Sequence, residues 1–240
     1  ANDIFLIASI SKPICVAALM TLYDQAEFDL DDAVVKFLPE FSDGPRSQVT
    51  IRQLLTHVSG LPDQLPENET LRQRHAPLAE FVKRTCQTPL LFSPGSQYRY
   101  SSMGILLASE VAVRIRGTEF KTFVHETIFG RLQMNRSALG LGGFRIEETI
   151  RCQEAENDQA LATGPHSRTD WDRNSRYWRD LGAPWGGVHA SAPDVASFFR
   201  EFLYLQGTIL RPDTERTMRQ NHNPSRLPPR GVRFSAATVT

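Results

Sequence analysis

The clearest hydrophobic pattern in the chain lies at residues 14–26, which are apolar on nearly every side of the helix they would form. A helix of this kind is typical of a protein interior rather than a surface. Pro13 has no backbone N–H and is tolerated only in the first turn of a helix, so we expect the helix to begin between Ser9 and Lys12. Ser9 is therefore a candidate N-cap residue.

Helical periodicity continues through most of the remaining chain. Thr50 is placed as the N-cap of a helix at 51–57, and Ser59-Gly60 ends that helix. Strand patterns are confined to 4–7 and 232–240, while 140–185 has the composition of long loops with short elements. The pattern predicts a mostly helical α+β fold with residues 1–240 in a single domain. The further predicted helices are 31–38, 78–86, 104–116, 119–132 and 193–205.

Composition and charge exclude several classes of function. The 240 residues contain 27 basic and 27 acidic side chains, and this balance gives no electrostatic footprint for nucleic acid. The longest nearly uncharged apolar stretch, 14–23, is about half a membrane span, so we expect no transmembrane segment. The three cysteines form no C-x-x-C pair, and we expect neither a metal site nor a cofactor. Cys15 is predicted to be a small buried hydrophobe.

Ser9 and Lys12 are the first candidates for chemistry. Side chains three residues apart lie on one face of a helix, so the lysine can act as general base for the serine once its ammonium loses a proton. Burial and the positive end of a helix both disfavour the charged form of such a lysine. The same helix end offers backbone N–H groups for one half of an oxyanion hole. The alternative is a capping serine beside a solvated lysine.

Tyr100 and Ser102 form the second candidate group, between the turn Pro94-Gly95 and the predicted helix at 104–116. A phenol beside an ammonium can serve as a base, and the Ser102 hydroxyl can donate a hydrogen bond to a substrate or to the lysine. The alternative is that Ser101 or Ser102 is an ordinary N-cap.

Five segments, in this order, carry a family resemblance: 5–13, 50–62, 92–102, 128–134 and 185–194. With them the chain resembles the serine β-lactamase and penicillin-binding-protein superfamily. Within it, the branch of class C β-lactamases, D-alanyl-D-alanine carboxypeptidases and esterases fits best. The resemblance implies a β-lactamase/transpeptidase-like fold and a serine hydrolase that acts on an ester, a β-lactam or a D-amino-acyl peptide.

The resemblance also implies roles for individual residues. Ser9 would be the acylated nucleophile, Lys12 its activating partner, and Tyr100 the shared general base and acid. Ser102 stands where the family usually has an asparagine that holds the lysine and contacts the substrate amide. The shorter side chain without an amide argues against β-lactam turnover.

Two further features near these segments are expected to be structural. Residues 185–188 would form the return from helix to sheet near the pocket, without a catalytic role. His57 lies at a predicted helix C-terminus followed by glycine, so we expect it to be structural rather than a catalytic base.

One motif of the family is missing, because no lysine or histidine here is followed two residues later by glycine. In the family that motif lies on the strand that walls the active site and supplies the second oxyanion N–H. We therefore expect a rudimentary sheet that lacks flanking strands at both ends, and an active site open on one side. We also expect one uncovered face on the helix at 14–26, and weak or no turnover.

Two alternatives to a serine hydrolase remain at this point. The first is a catalytically weak, penicillin-recognising or regulatory relative of the same fold. The second is a non-catalytic helical scaffold in which Ser9 only caps a helix. Substrate choice depends on the loops at 140–185, because loops shape the pocket.

Overall fold

Helices dominate the computed structural model, which describes residues 2–153 and 169–229. Three short strands, β1 (Phe5–Leu6), β2 (Ser137–Leu139) and β3 (Val188–Ala190), form an antiparallel sheet in the order β1-β3-β2. This arrangement confirms the predicted α+β class with a small antiparallel sheet. The α-helices within the described residues are α1 (Ser11–Asp24), α2 (Ile51–Leu55), α3 (Asn68–Gln73), α4 (Leu78–Gln87), α5 (Ser102–Arg116), α6 (Phe120–Val124), α7 (Arg176–Leu181), α8 (Ala192–Tyr204) and α9 (Pro212–Arg219).

The apolar helix α1 lies at the centre of the hydrophobic core. Every residue from Ser11 to Leu22 is buried, including Cys15 as predicted. The helix packs against α5, α6 and the wide helical turn His125–Phe129. The predicted uncovered face of this helix is therefore wrong, because these neighbours cover it. The helix ends at Asp24, just before Ala26 takes a left-handed conformation (φ +58°).

The helix predicted at 31–38 is wrong. Only Val34–Lys36 form a single 3₁₀ turn. The backbone around it pairs instead with the segment before α2, where Ala33 bridges to Thr50 and the Val34 N–H donates to the Val49 carbonyl (2.8 Å). Once these backbone groups bond across to another segment, they are not free to form the ladder of an α-helix.

The other predicted helices are present with changes at their ends. Those at 51–57, 78–86, 104–116 and 193–205 are confirmed as α2, α4, α5 and α8. The helix predicted at 119–132 is divided, since α6 is followed by the π-helical turn His125–Phe129. Helices α3 and α9 were not predicted, and the strand predicted at 232–240 lies outside the described residues. Within the described ranges, no helix combines the length and apolarity needed to cross a bilayer.

The small sheet brings the N-terminal segment next to the turn before β3. Phe5 pairs with Ala190, and the pairing continues beyond β1 through a hydrogen bond from the Ile7 N–H to the Val188 carbonyl (2.9 Å). The Val188 N–H in turn donates to the Ser11 hydroxyl (3.0 Å). The first turn of α1 is thereby attached to the start of β3.

Candidate active site

Ser9 lies in the 3₁₀ turn Ala8–Ile10, between β1 and α1. Ile10, not Ser9, is the N-cap of α1, and neither the turn nor α1 has a side-chain cap. The prediction of Ser9 as an N-cap is therefore wrong. Ala8 has φ +46°, a left-handed conformation that is uncommon outside glycine and is enriched at functional sites. The Ser9 side chain is exposed, and its hydroxyl is available for contacts other than capping.

Lys12 extends from the first turn of α1 to the Ser9 hydroxyl. Its side chain is buried, with 3% of the residue exposed. The Nζ atom donates to Ser9 Oγ (3.0 Å) and to the backbone carbonyl of Trp185 (2.7 Å). It also lies 4.8 Å from the centroid of the Tyr100 ring, within the range of a cation–π contact. The three-residue spacing from Ser9 thus produces the proximity that the sequence predicts.

The turn at 183–187 joins α7 to β3, which is the return from helix to sheet expected at 185–188, and it also contacts the site through its backbone. Its Trp185 carbonyl accepts a hydrogen bond from Lys12 Nζ. The turn is tight because the Gly187 N–H donates to the Ala183 carbonyl (2.6 Å), and a Cβ at Gly187 would lie 2.6 Å from the Ala183 nitrogen. The Trp185 ring itself packs beside Phe81, with ring centroids 6.0 Å apart. A backbone carbonyl carries no side-chain signal, so sequence reasoning had no means of finding this contact.

Tyr100 reaches the same serine from the segment before α5. Its hydroxyl lies 3.0 Å from Ser9 Oγ, and 38% of the residue is exposed. Ser101 is the N-cap of α5, since its Oγ accepts from the Gly104 N–H (2.9 Å) and donates to the Pro62 carbonyl (2.9 Å). Lys12 Nζ and the Tyr100 hydroxyl thus both lie at hydrogen-bond distance from the same oxygen, Ser9 Oγ.

The Ser102 hydroxyl makes a different hydrogen bond from the one predicted for it. The hydroxyl donates to Asp63 Oδ1 (2.6 Å), and the Ser102 backbone N–H donates to the same oxygen (2.9 Å). A hydroxyl has one proton, so in this arrangement Ser102 does not donate to Lys12 or to a substrate. Sequence reasoning missed Asp63, although it follows directly after the segment 50–62.

His57 contacts the Tyr100 segment on its other side. Its Nδ1 accepts from the Ser101 N–H (3.3 Å), and its ring lies 4.7 Å from the Tyr100 ring, centroid to centroid. An amide nitrogen can only donate, so Nδ1 carries no proton in this arrangement. That lone pair is engaged with the Ser101 backbone, and the structural role of His57 stays a prediction.

Other parts of the described chain hold no comparable group. Among residues 2–153 and 169–229, no cluster of three or more His, Cys, Asp or Glu side chains is placed to hold a metal ion. A cavity of about 950 Å³ lies against α4, α6 and α7, lined by residues that include Leu78, Phe120, Lys121 and Tyr177. Its lining does not include Ser9, Lys12 or Tyr100, so this cavity is distinct from the group of side chains at Ser9.

The arrangement at Ser9 combines an exposed hydroxyl, a buried cation and a phenol. Lys12 favours negative charge on either oxygen, and Tyr100 can exchange a proton with Ser9 directly. Groups in this geometry are suited to activate a serine as a nucleophile.

Comparisons with known proteins place this geometry in context. Esterase EstB of Burkholderia gladioli is 37% identical over 115 residues, covering 42% of this chain and 29% of that protein. Penicillin-binding protein 4* of Bacillus subtilis (strain 168) is 30% identical over 140 residues, covering 57% of this chain and 30% of that protein. Each of these two matches thus covers less than a third of the relative's own length.

Solved structures show the same fold at lower identity. The D-amino acid amidase of Ochrobactrum anthropi SV3, in complex with L-phenylalanine, superposes with a TM-score of 0.75 at 24% identity, over 90% of this chain and 61% of that one. EstCE1, a hydrolase with promiscuous acyltransferase activity, gives a TM-score of 0.73 at 24% identity, over 94% and 65% respectively. The sequence model of the Beta-lactamase family matches residues 1–237. This match shows that the chain belongs to the Beta-lactamase family, and its neighbours show the β-lactamase/transpeptidase-like fold.

Proposed function

We propose that this protein is a serine hydrolase that forms an acyl-enzyme on Ser9, and that its substrate is an ester. The observation that carries the proposal is the convergence of Lys12 Nζ and the Tyr100 hydroxyl on Ser9 Oγ, each at 3.0 Å. The names of its relatives support the reaction class, because they include an esterase and an amidase.

In the structure the Tyr100 hydroxyl donates to Ser9 Oγ, so acylation begins with the release of that proton to solvent. The resulting phenolate, stabilised by the Lys12 ammonium, then takes the proton of Ser9. Ser9 Oγ then attacks the ester carbonyl carbon and forms a tetrahedral intermediate. Its collapse breaks the carbon–oxygen bond of the leaving group, and Tyr100 returns the proton to the departing alkoxide. The products of this half-reaction are a free alcohol and an acyl group on Ser9.

Deacylation repeats the same proton transfers with water as the nucleophile. The Tyr100 phenolate takes a proton from water, and the resulting hydroxide attacks the acyl carbon. Ser9 Oγ then leaves and recovers the proton from Tyr100, which releases the carboxylic acid. Throughout, the Trp185 carbonyl holds Lys12 Nζ in place by accepting one of its three protons.

Ser102 supports an ester rather than a β-lactam or a peptide as the substrate. A substrate amide has an N–H group and a carbonyl, so its partner must both accept and donate hydrogen bonds. The Ser102 hydroxyl already donates its one hydrogen bond to Asp63 and can only accept another. An ester has no N–H and makes no such demand. β-Lactams and D-amino-acyl peptides are therefore the second candidates, and the experiment below separates them.

The test is mass spectrometry of the 240-residue chain after exposure to p-nitrophenyl acetate, to a fluorophosphonate and, separately, to benzylpenicillin. We expect one acetyl or phosphonyl group on the peptide that contains Ser9, and a much slower penicillin adduct. Ser9→Ala should lose the label, while Ser11→Ala should retain it in the folded protein.

Each other outcome favours a stated alternative. Stoichiometric penicillin labelling that outpaces ester labelling would favour a penicillin-recognising protein. A label that survives in Ser9→Ala would contradict Ser9 as the nucleophile. No label from any reagent would favour the non-catalytic scaffold.

A further inference from the structure

A short segment of the chain, residues 57–63, contacts the residues on both sides of Tyr100. The His57 carbonyl accepts from the Arg99 N–H (2.9 Å), and His57 Nδ1 accepts from the Ser101 N–H (3.3 Å). Further along the segment, the Pro62 carbonyl accepts from the Ser101 hydroxyl. His57 thus holds the backbone immediately before and immediately after the tyrosine.

His57 also contacts the tyrosine ring itself. The two ring centroids are 4.7 Å apart with the planes tilted by 41°, and the His57 and Tyr98 rings form a T-shaped pair with centroids 6.1 Å apart. These contacts depend on a left-handed backbone at His57 (φ +63°). That conformation is uncommon outside glycine, although asparagine, aspartate and histidine adopt it more often than other residues do, and the surroundings have to hold it.

Lys12 Nζ and the Ser9 hydroxyl contact Tyr100 inside the site, while 38% of the residue is exposed to solvent. Its hydroxyl lies at the far end of the ring, so a small rotation of the side chain moves it a long way relative to Ser9. A displacement of about 1 Å in a catalytic group can lower a rate by about 10²-fold. A residue that restrains this ring therefore has leverage over the reaction.

We propose that His57 is a positioning residue that holds the Tyr100 hydroxyl at hydrogen-bond distance from Ser9 Oγ. It acts through its ring, which packs on the tyrosine, and through Nδ1, which fixes the Ser101 backbone. This inference rests on the function proposed above for Ser9 and Tyr100.

Two variants at His57 and one control variant test the His57 side chain while keeping a residue that tolerates its left-handed backbone. His57→Gly keeps the left-handed backbone and removes both side-chain contacts, whereas His57→Asn keeps a residue that tolerates this conformation and offers an oxygen acceptor. The matched control is His75→Gly. His75 also has a positive φ (+53°), and its ring stacks on a tyrosine, Tyr177, with centroids 4.6 Å apart.

The rate of Ser9 acylation by p-nitrophenyl acetate is measured as a function of ester concentration. We expect His57→Gly to lower the limiting rate by about 10²-fold, with the half-saturating concentration changed by less than about threefold, because binding is not the step affected. His57→Asn should recover part of the loss, and His75→Gly should react like the wild type. A limiting rate in His57→Gly equal to that of His75→Gly would overturn the inference.

A double-mutant cycle tests whether His57 acts through the tyrosine. In a Tyr100→Phe background there is no hydroxyl to position, so His57→Gly should produce no further loss. Two losses that multiply would mean that His57 acts by another route, and the inference would be wrong.

A second measurement does not depend on turnover. The five tyrosines are replaced by 3-fluorotyrosine, and the fluorine resonance of Tyr100 is assigned by its disappearance in Tyr100→Phe. His57→Gly should shift and broaden this resonance, while His75→Gly should leave it unchanged. If the wild type is not acylated at all, the proposed function fails, and this spectrum still decides the positioning role. A Tyr100 resonance that is unchanged in His57→Gly contradicts it.

Discussion

Replacing Glu215 by glutamine removes one of two carboxyl groups that are buried together between α8 and α9. Glu201 and Glu215 both have 0% of their surface exposed. Glu215 Oε1 accepts from the Gly207 N–H (3.3 Å), and Glu201 Oε1 accepts from the Ile209 N–H (3.0 Å). Burial, followed by repulsion from the Glu201 charge, raises the pKa of Glu215 to about 7.

The size and sign of the effect follow from proton linkage. The ordinary pKa of the group is 4.5, so the folded protein binds this proton more tightly than the unfolded chain does between pH 4.5 and about 7. The stabilisation is fully present below pH 4.5 and is lost as the pH rises through 7. A shift of this size corresponds to about 3 kcal/mol at 1.36 kcal/mol per pKa unit. Glutamine does not ionise and keeps an oxygen acceptor for the Gly207 N–H.

We therefore expect Glu215→Gln to gain stability relative to the wild type as the pH rises, by up to about 3 kcal/mol between pH 4.5 and 8.5. The assay is urea unfolding at several pH values across this range, with the difference in the free energy of unfolding plotted against pH. Glu27→Gln, at an exposed position, is the matched control with which the plot for Glu215→Gln is compared. A flat plot for Glu215→Gln, or one that falls as the pH rises, would refute the reasoning.

Two further substitutions, one of them with a control variant, test tertiary contacts. Gly60→Ala should destabilise the fold by more than about 2 kcal/mol, because Gly60 has φ +87° and an added Cβ would lie 2.4 Å from the Phe92 carbonyl oxygen. Gly117→Ala, at φ +68° with nothing within 4 Å, should lose only about 1 kcal/mol in the same urea titration, and equal losses would contradict the steric argument. Ser11→Ala should lower the free energy of unfolding by about 1–3 kcal/mol, because it leaves the buried Val188 N–H without its acceptor. An unchanged thermal midpoint for Ser11→Ala would show that this hydrogen bond contributes little.

Local signals in the sequence were enough for the helices that begin and end by local rules. Thr50 and Gln53 form a reciprocal capping box at the start of α2, and Gly117 ends α5 in a left-handed conformation. Such signals involve residues within one turn of the helix, so they can be identified from a short stretch of sequence. The helix predicted at 31–38 failed because its backbone partner, Val49, lies in another segment of the chain.

The candidate site divides in the same way. The contact between Ser9 and Lys12 follows from a spacing of three residues, so the sequence alone determined it. The chemistry of its side chain made Tyr100 a candidate, but only the family resemblance connected it to Ser9, because nothing local relates it to a serine ninety-one positions earlier.

Only the tertiary structure decided which groups complete the site. The Trp185 carbonyl reaches Lys12 because β1 and β3 pair and the turn at 183–187 closes around Gly187. Asp63 accepts the hydrogen bond of the Ser102 hydroxyl because the loop at 57–63 packs beside the start of α5. Because every residue has a backbone carbonyl, the sequence does not single out that of Trp185. Asp63 lies in a loop, where no periodic pattern marks it. Their chemical meaning depends on the partner that folding brings within 3 Å, which is a property of the whole chain rather than of any segment.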